Sequence, residues 1–490
     1  MNVFQWAEWG YVSAAALLLW VPLTFWLFSI ERPTKAAMHS IVWAMLWLPE
    51  GAAFDLPALP PFSKYSISAL CALLGIWWKA PKRLQAARVG RGFDWIVGAM
   101  VLAQIGTVLT NPDPLHYGTF KTIDLPGFKP YDGLSAAVRV LITVGLPVVL
   151  GRALLRTRRD LLDALEVLVV AGLVYSLPIF FELRMSPMLH EHVYGYSPRS
   201  DWSQNLRAGG YRATVFLGHG LLVGFFMFLS TIAAVTLHKA GKRRLFGMPM
   251  GFVVFYLFVT LVMCKAAAAL IYGAAGFCVL RWLGTKMRMH VLVALAVIVI
   301  SYPLSRMFEV FPTTALLSAS TSLGADRVQS MQFRFDNEDI LILKASERLW
   351  FGWGGFNRER VYDPETAKDL VIQDGHWIAV FGMQGLVGFS CFFALMVIPV
   401  VIAARKMKHV KVRHDQVLLA GLAFIVVICS VNMLPNMQLP YLQFIFATGL
   451  AVLMNELPKQ AQRDSVRPTP APANGSTMRP PSRRGLQSAA

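Results

Sequence analysis

The sequence predicts an all-α polytopic membrane protein with about twelve to thirteen transmembrane helices. Of the 490 residues, 56% are hydrophobic and only 15% are charged, and the mean hydropathy is +0.51. A soluble chain of this length carries far more surface charge. Many apolar runs also approach the roughly 20 residues with which a helix crosses a bilayer. We therefore expect the chain to cross a membrane many times.

Short clusters of basic residues separate the apolar runs, for example Lys242, Arg243 and Arg244. The positive-inside rule assigns such clusters to the cytoplasm, which puts the N-terminus outside and the C-terminus inside. This pattern explains the net charge of +18 without nucleic acid as a partner. Prolines and Asp55 interrupt the second and third candidate spans. The thirteen candidates lie near residues 10–29, 38–57, 65–80, 93–110, 135–152, 161–182, 213–237, 247–264, 266–284, 290–307, 377–404, 415–434 and 440–456.

Three regions follow from this pattern. Residues 1–204 are N-terminal transmembrane helices, and residues 205–457 are a second membrane region whose outside loop, 308–376, is the largest soluble segment. Residues 458–490 are rich in Pro, Arg, Ser and Ala, which predicts a disordered cytoplasmic tail. The N-terminus lacks the cleavage signature of a secretory signal, so the first span is expected to remain.

The large outside loop contains one predicted amphipathic helix. In "FRFDNEDILILKASERLW", apolar side chains recur at helical spacing. The glycines of "FGWGGFN" then end the helix. The apolar positions are Phe335, Ile340, Leu341, Leu343 and Leu349.

The cysteines and histidines do not indicate a metal site. All five cysteines lie in or at the edges of apolar runs without CxxC spacing, which favours buried thiols over disulfides or metal ligands. The histidines lack HxxxH or HExxH spacing, and His190-Glu191-His192 alone is unspecific. We expect neither a metal nor another cofactor.

Two candidate sites lie near the seventh to ninth spans. In "GGYRATVFLGHG", Arg212 is expected at the outer mouth of a span, with His219 two helical turns later on the same face. A guanidinium there either binds phosphate through paired hydrogen bonds or snorkels to lipid headgroups. His219 either contacts substrate or packs within the helix. In "VMCKAAAAL", Lys265 occupies a tight helical hairpin, facing outside water or the protein interior because lipid is costly for a charge.

A third candidate is His376 in "QDGHWIAVFGMQGLVG", immediately before an apolar span. An imidazole exchanges protons readily near neutral pH. A histidine at a membrane interface can equally be structural. Arg334 precedes "WFGWGG" in the large loop, although basic and aromatic residues are also common on ordinary surface helices.

Together these motifs resemble the O-antigen ligase and polymerase superfamily of membrane glycosyltransferases, over residues 205 to 405. The order matches: "YRATVFLGH", then the small-residue hairpin "CKAAAA", where the family often has Ser-Arg-Gly-Ala, then an arginine 18 positions before the glycine of "FGWG". Arg334 and Gly352 have that separation. A histidine leading into "GLVG" completes the series. Three departures mark a divergent member: Trp377 for asparagine, Met383-Gln384 for a glutamate, and Lys265 for arginine.

The resemblance implies a C-type glycosyltransferase fold that needs no metal, in a bacterial inner membrane. The donor is an undecaprenyl-pyrophosphate-linked glycan at the outer face, and the acceptor is a glycan or lipid. Arg212, Arg334 and Lys265 are expected to stabilise the leaving pyrophosphate. His376, oriented by Asp374, is the expected general base, with Tyr211 and His219 as further substrate-binding candidates. Membrane lipids, a chain-length regulator and export proteins are the other expected partners.

Several functions remain open at this point. Divergence from the ligases favours polymerisation of exopolysaccharide or O-antigen repeats over transfer to a lipid A core. A transporter is an alternative, although such proteins tend to carry charges deep within broken helices, whereas the ionisable residues here concentrate in the outside loop. A non-catalytic scaffold for polysaccharide export is the third hypothesis, in which Arg212, Arg334 and His376 are dispensable.

Overall fold

The computed structural model has the all-α architecture of a polytopic membrane protein. It describes residues 6–55, 60–119, 122–198, 202, 205–207, 209–320, 325–438 and 440–466. The helices are α1 (Trp6–Ile30), α2 (Pro33–Trp47), α3 (Lys64–Lys79), α4 (Pro81–Ala86), α5 (Phe93–Leu109), α6 (Pro130–Val140), α7 (Leu146–Leu154), α8 (Arg158–Met185), α9 (Leu189–Tyr194), α10 (Gly220–Lys239), α11 (Met250–Met263), α12 (Ala267–Trp282), α13 (Thr285–Met307), α14 (Thr313–Ser320), α15 (Ala325–Ser346), α16 (His376–Lys406), α17 (Arg413–Asn432) and α18 (Tyr441–Val466).

Short antiparallel strand pairs close four of the turns between helices. The pairs are β1 (Ala53–Phe54) with β2 (Phe62–Ser63), β3 (Leu115–Tyr117) with β4 (Ile123–Leu125), β5 (Leu206–Arg207) with β6 (Gly210–Tyr211), and β7 (Arg244–Leu245) with β8 (Met248–Pro249). The described residues form three apolar clusters, of which two are large. The larger surrounds α8, α10 and α17. The smaller surrounds α5, α13 and α16 and includes the fully buried Trp377.

Each of the thirteen predicted spans overlaps at least one helix. Within the described residues, seven helical segments are long and apolar enough to cross a bilayer: Gly10–Ile30, Pro130–Leu154, Arg158–Met185, Gly220–Lys239, Thr285–Met307, His376–His409 and Arg413–Asn432. The other predicted spans coincide with helices that are shorter or less apolar, such as α5, α11 and α12. A multi-pass membrane protein is therefore supported, while the number of twelve to thirteen crossings stays a prediction.

The second predicted span, 38–57, was wrong at its C-terminal end. Helix α2 ends at Trp47, and the following Leu48 is extended with ψ +155. Leu48 precedes Pro49, and the proline ring disfavours a helical conformation at the residue before it. The chain then turns into the pair formed by β1 and β2.

A π-helical turn at Leu141–Gly145 joins α6 to α7 within one continuous membrane segment. Pro147 follows this turn and has no N–H to donate to the carbonyl of Thr143, which its ring also crowds. Widening the turn relieves that conflict. Such π-turns occur frequently at functional sites.

Helix α16 is a helical hairpin instead of one straight span. Gly385 has φ +61 and ψ −167, which interrupts the helix. Along a straight helix, His376 and Phe392 would be roughly 24 Å apart. Their ring centroids are only 5.3 Å apart. The first arm, residues 376–384, therefore folds back along the second arm, residues 386–406.

The loop 349–354 fills the break in α16. An ideal Cβ on Gly352 would lie 2.5 Å from the amide nitrogen of Gly385, and the reverse contact is equally close. Only glycine fits at either position. The loop also satisfies backbone groups that the broken helix leaves without intrahelical partners. The four bonds are Trp353 N to Gly382 O (2.8 Å), Gly354 N to Met383 O (2.9 Å), Leu386 N to Leu349 O (2.8 Å) and Val387 N to Trp350 O (3.2 Å).

The predicted amphipathic helix in the large loop is confirmed as α15, but its buried face differs in part. Phe335 and Leu341 are buried as predicted. The predictions for Ile340, Leu343 and Leu349 were wrong, since these side chains are 40%, 68% and 38% exposed. The helical period instead buries polar side chains that bond to neighbouring elements. The other buried residues of this helix are Asn337, Glu338, Ile342 and Ala345.

Ion pairs form separate networks at the two ends of the helix bundle. At the predicted inner end they are Arg32–Asp163, Arg83–Asp160, Arg152–Asp94, Arg156–Glu456, Arg158–Asp415 and Lys242–Glu166. At the predicted outer end they include Lys64–Glu50, Arg306–Glu338, Arg334–Asp374, Arg348–Asp113 and Arg360–Asp369. Each pair joins segments that the topology assigns to one side, so the division fits the predicted alternation of loops.

The predicted tail and thiols need two adjustments. Helix α18 continues to Val466, so residues 458–466 are helical, contrary to the predicted disorder. Residues 467–490 lie outside the described residues. The five cysteines are free thiols, as predicted, but only Cys71, Cys264 and Cys429 are buried. Cys391 is partly exposed, and Cys278 is exposed on a helix surface.

Candidate functional site

The seven predicted site residues fall into two groups in the fold. Tyr211, Arg212, His219 and Lys265 surround the N-terminus of α10, while Arg334, Asp374 and His376 surround the first arm of α16. Arg212 is only 4% exposed. An ideal Cβ on Gly220 would lie 2.5 Å from the Nε atom of Arg212, so the arginine side chain packs directly against the first residue of α10. A snorkelling arginine keeps its charged group in the interface, so the burial of Arg212 argues against that alternative.

The prediction that Arg212 and His219 share a helical face was wrong. Helix α10 begins at Gly220, and residues 213–219 form irregular turns. The carboxylate of Glu182 accepts bonds from the backbone N–H groups of Thr214 and Val215, both at 2.8 Å. Buried partners thus replace helical bonding in this segment. His219 instead caps α10, since its Nδ1 atom accepts a bond of 2.9 Å from the N–H of Leu221.

Lys265 lies in the tight hairpin that the sequence predicted. It connects α11 to α12 with φ +53, a left-handed conformation unusual for a residue with a Cβ atom. Its Nζ atom would lie 2.7 Å from an ideal Cβ on Gly210. Since Tyr211 and Arg212 directly follow Gly210, the hairpin brings a second cation beside the strand β6.

Arg334 and Asp374 form an ion pair with 3.3 Å between Nε and Oδ2. Both side chains are 41% exposed, so water weakens the attraction. The prediction that Asp374 orients His376 was wrong. Across the described residues, Nδ1 of His376 is buried without a hydrogen-bond partner. Asp374 thus connects α15 to the segment before α16 and leaves the imidazole nitrogen available.

A cavity of about 260 Å³ lies beside His376, at the fold-back of α16. Its walls come from the first arm of α16, the π-turn, and the starts of α3 and α18. Two other buried polar atoms in this lining, Gln384 Oε1 and Tyr441 Oη, also make no hydrogen bond within the described part of the chain. The first arm of α16, with His376 and Gln384, and the start of α18, with Tyr441, thus bring residues with unsatisfied polar atoms into the lining of one cavity.

The sequence prediction missed Gln384 and Tyr441 as site residues. In the sequence, Gln384 is distinguished only by its difference from the glutamate that the resemblance leads one to expect. Both are polar residues within apolar runs, which is a weak signal because buried tyrosines and glutamines commonly bond to the backbone. The fold-back of α16, which brings Gln384 and His376 to the same cavity as Tyr441, has no sequence signature beyond Gly385.

Trp377 anchors the large loop to the helices of the smaller apolar cluster. Its Nε1–H donates a bond of 3.2 Å to Glu338 on α15. Glu338 also accepts bonds from Tyr302 (2.8 Å) and Arg306 (3.1 Å) on α13. Burial raises the pKa of Glu338, and these three donors oppose that shift. The tryptophan therefore has a structural role next to the candidate base.

Glu359 is a buried carboxylate near the first arm of α16. It is 7% exposed, and an ideal Cβ on Gly382 would lie 3.4 Å from its Cβ atom. Its Oε2 atom accepts no hydrogen bond from the residues that the structure describes. Burial raises the pKa of this carboxyl above its ordinary range.

These features define a class of protein: a multi-pass helical membrane protein with a cavity and cationic side chains at its predicted outer end. No protein-family model matches the chain, and no curated protein sequence matches it either.

Proposed function

We propose that the protein polymerises undecaprenyl-pyrophosphate-linked oligosaccharide repeats of an exopolysaccharide or O-antigen, at the outer face of a bacterial inner membrane. The reaction is an inverting, metal-independent glycosyl transfer. The observation that carries the proposal is the imidazole of His376. Its Nδ1 atom is buried and free of protein hydrogen bonds among the described residues, and His376 lines a cavity. Two positions earlier, Asp374 pairs with Arg334.

The chemistry requires a base and a stabilised leaving group. His376 takes the proton of an acceptor hydroxyl while that oxygen attacks the anomeric carbon of the donor. The bond from the anomeric carbon to the phosphate oxygen breaks, and its electron pair stays on the pyrophosphate. Arg334, Arg212 and Lys265 are the cations that stabilise the developing charge in this proposal.

A transport function is the second candidate, and the broken helix α16 favours it. Transporters bind substrate where helices are interrupted and their backbone lines a cavity. Gly385 interrupts α16 next to Gln384, which lines the cavity. In this alternative, the protein moves a lipid-linked sugar without forming a glycosidic bond.

The test compares His376→Ala, Arg334→Ala and Arg212→Ala in a strain that lacks the native gene. Surface polymer and lipid-linked intermediates are measured, together with protein abundance. We expect loss of polymer and accumulation of single lipid-linked repeats at the outer face. His192→Ala and Arg360→Ala are matched controls, since these residues lie at the same end but outside the two groups.

Each alternative gives a different result. Repeats retained at the inner face indicate transport, and complete chains that fail to reach a lipid A core indicate a ligase. Normal polymer in all three variants, at normal protein abundance, would falsify the catalytic proposal.

A further inference from the structure

The cavity beside His376 has no cationic or acidic side chain in its lining, as far as the described residues extend. Its titratable side chains are His376, Tyr65 and Tyr441. A pyrophosphate carries several negative charges and requires cations or many N–H donors. The cavity is therefore suited to an uncharged ligand, and the cationic residues lie elsewhere.

The three unpartnered atoms indicate which hydrogen-bonding groups a ligand of this cavity carries. A buried polar group without a hydrogen bond costs about 1–3 kcal/mol, which a bound partner recovers. An imidazole nitrogen, an amide oxygen and a phenol include acceptors and a donor. Hydroxyl groups satisfy all three because each can donate and accept. His376 Nδ1, Gln384 Oε1 and Tyr441 Oη are the atoms concerned.

The remaining walls are aromatic and aliphatic. Phe392, Phe444 and Tyr65 contribute rings, and Pro60 and Pro61 also line the cavity. Such surfaces pack against the C–H face of a sugar ring, while the polar atoms bond to its hydroxyls. A volume of about 260 Å³ lies near the lower end of the range for ligand pockets, which suits a single sugar ring.

We infer that this cavity binds one uncharged sugar ring, the terminal residue of the acceptor glycan, and that Gln384 and Tyr441 select it through its hydroxyls. The identification of this sugar as the acceptor rests on the proposed function. The sugar site itself rests on the cavity alone. With a ring in place, one of its hydroxyls would lie against His376, which is the arrangement that proton transfer needs.

The test measures monosaccharide binding to the purified full-length protein in detergent, without a donor. Saturation-transfer difference NMR is recorded with glucose, galactose, mannose, N-acetylglucosamine and, as a charged comparison, glucuronate. We expect at least one neutral sugar to bind and glucuronate not to bind. Tyr441→Phe and Gln384→Leu each remove one hydrogen bond and weaken binding by roughly 3- to 10-fold.

Tyr256→Phe is the matched control, since that hydroxyl bonds to Ser176 outside the cavity. It should leave sugar binding unchanged. Thermal unfolding without sugar supplies a second readout. Tyr441→Phe breaks no protein hydrogen bond among the described residues, so it should not lower the melting temperature. A purely structural role predicts a lower one.

The inference is overturned if none of the four neutral sugars binds, if glucuronate binds equally well, or if both cavity variants bind like the wild type. Failure of the proposed function has a different signature. In that case sugar binding depends on Tyr441 and Gln384, while His376→Ala and Arg334→Ala leave the surface polymer normal.

Discussion

Lys265 combines a charge with an unfavourable backbone conformation, and the two contributions can be separated. A left-handed conformation costs a residue with a Cβ atom about 1–2 kcal/mol. We expect Lys265→Gly to be more stable than Lys265→Ala by roughly 1 kcal/mol, since both lack the ammonium but only glycine relieves the backbone. Thermal unfolding of the purified variants checks this. Both should lose polymer synthesis alike; full synthesis in the glycine variant would mean that the ammonium has no role.

Glu359 predicts a pH dependence of stability. Its pKa is raised in the folded protein, so folding favours the protonated carboxyl. The folding stability associated with that form is fully present below the ordinary pKa of glutamate and is lost as the pH rises through the raised value. We expect Glu359→Gln to unfold at a higher temperature than the wild type near pH 8, with little difference near pH 4. Glu365→Gln, at an exposed position, is the control. Equal melting temperatures at both pH values would contradict the prediction.

At the scale of residues, sequence reasoning identified chemical types better than contacts. It selected Arg212, and the structure shows that this guanidinium is buried beside α10. It paired Asp374 with His376, whereas the ion pair forms with Arg334 on a helix 40 residues earlier in the chain. Sequence spacing does not determine which of several nearby charges a flexible side chain contacts.

At the scale of elements, the glycines of α16 and the loop 349–354 determine whether the hairpin forms. Gly385→Ala places a Cβ atom 2.5 Å from backbone atoms of Phe351 and Gly352, in a conformation restricted to glycine. We expect it to cost at least about 3 kcal/mol. Gly98→Ala, in α5 with open space around it, should instead stabilise the protein by about 0.5–1 kcal/mol. The fraction of monodisperse protein and its unfolding temperature measure both effects, and an unaffected Gly385→Ala would contradict the interlocked hairpin.

The existence of the helices was predictable, because long apolar runs have few other stable structures in lipid. Their ends were less predictable. The segment before α10 remains irregular because Glu182 and Tyr175, more than 30 positions earlier, accept its backbone N–H groups. Such bonds between distant parts of the chain leave no local pattern.

At the scale of the whole molecule, the separate ion-pair networks predict opposite exposure of two surface residues. In a variant without the native cysteines, Glu365→Cys should react with a membrane-impermeant maleimide added to intact spheroplasts. Arg244→Cys should react only after lysis, because the positive-inside rule assigns its loop to the cytoplasm. Thermal unfolding of both variants controls for misfolding. The opposite labelling pattern would invert the topology and remove the basis for an outer-face site.

The bonds between the loop 349–354 and α16 have a consequence for dynamics. Separating the loop from the helix would leave four backbone groups on each side without these partners, so neither is expected to open alone. We expect the amide hydrogens of Trp353, Gly354, Leu386 and Val387 to exchange with deuterium at similar rates, as one cooperative unit. The loop 349–354 is therefore expected to move with α16 as one unit and not to act as a lid.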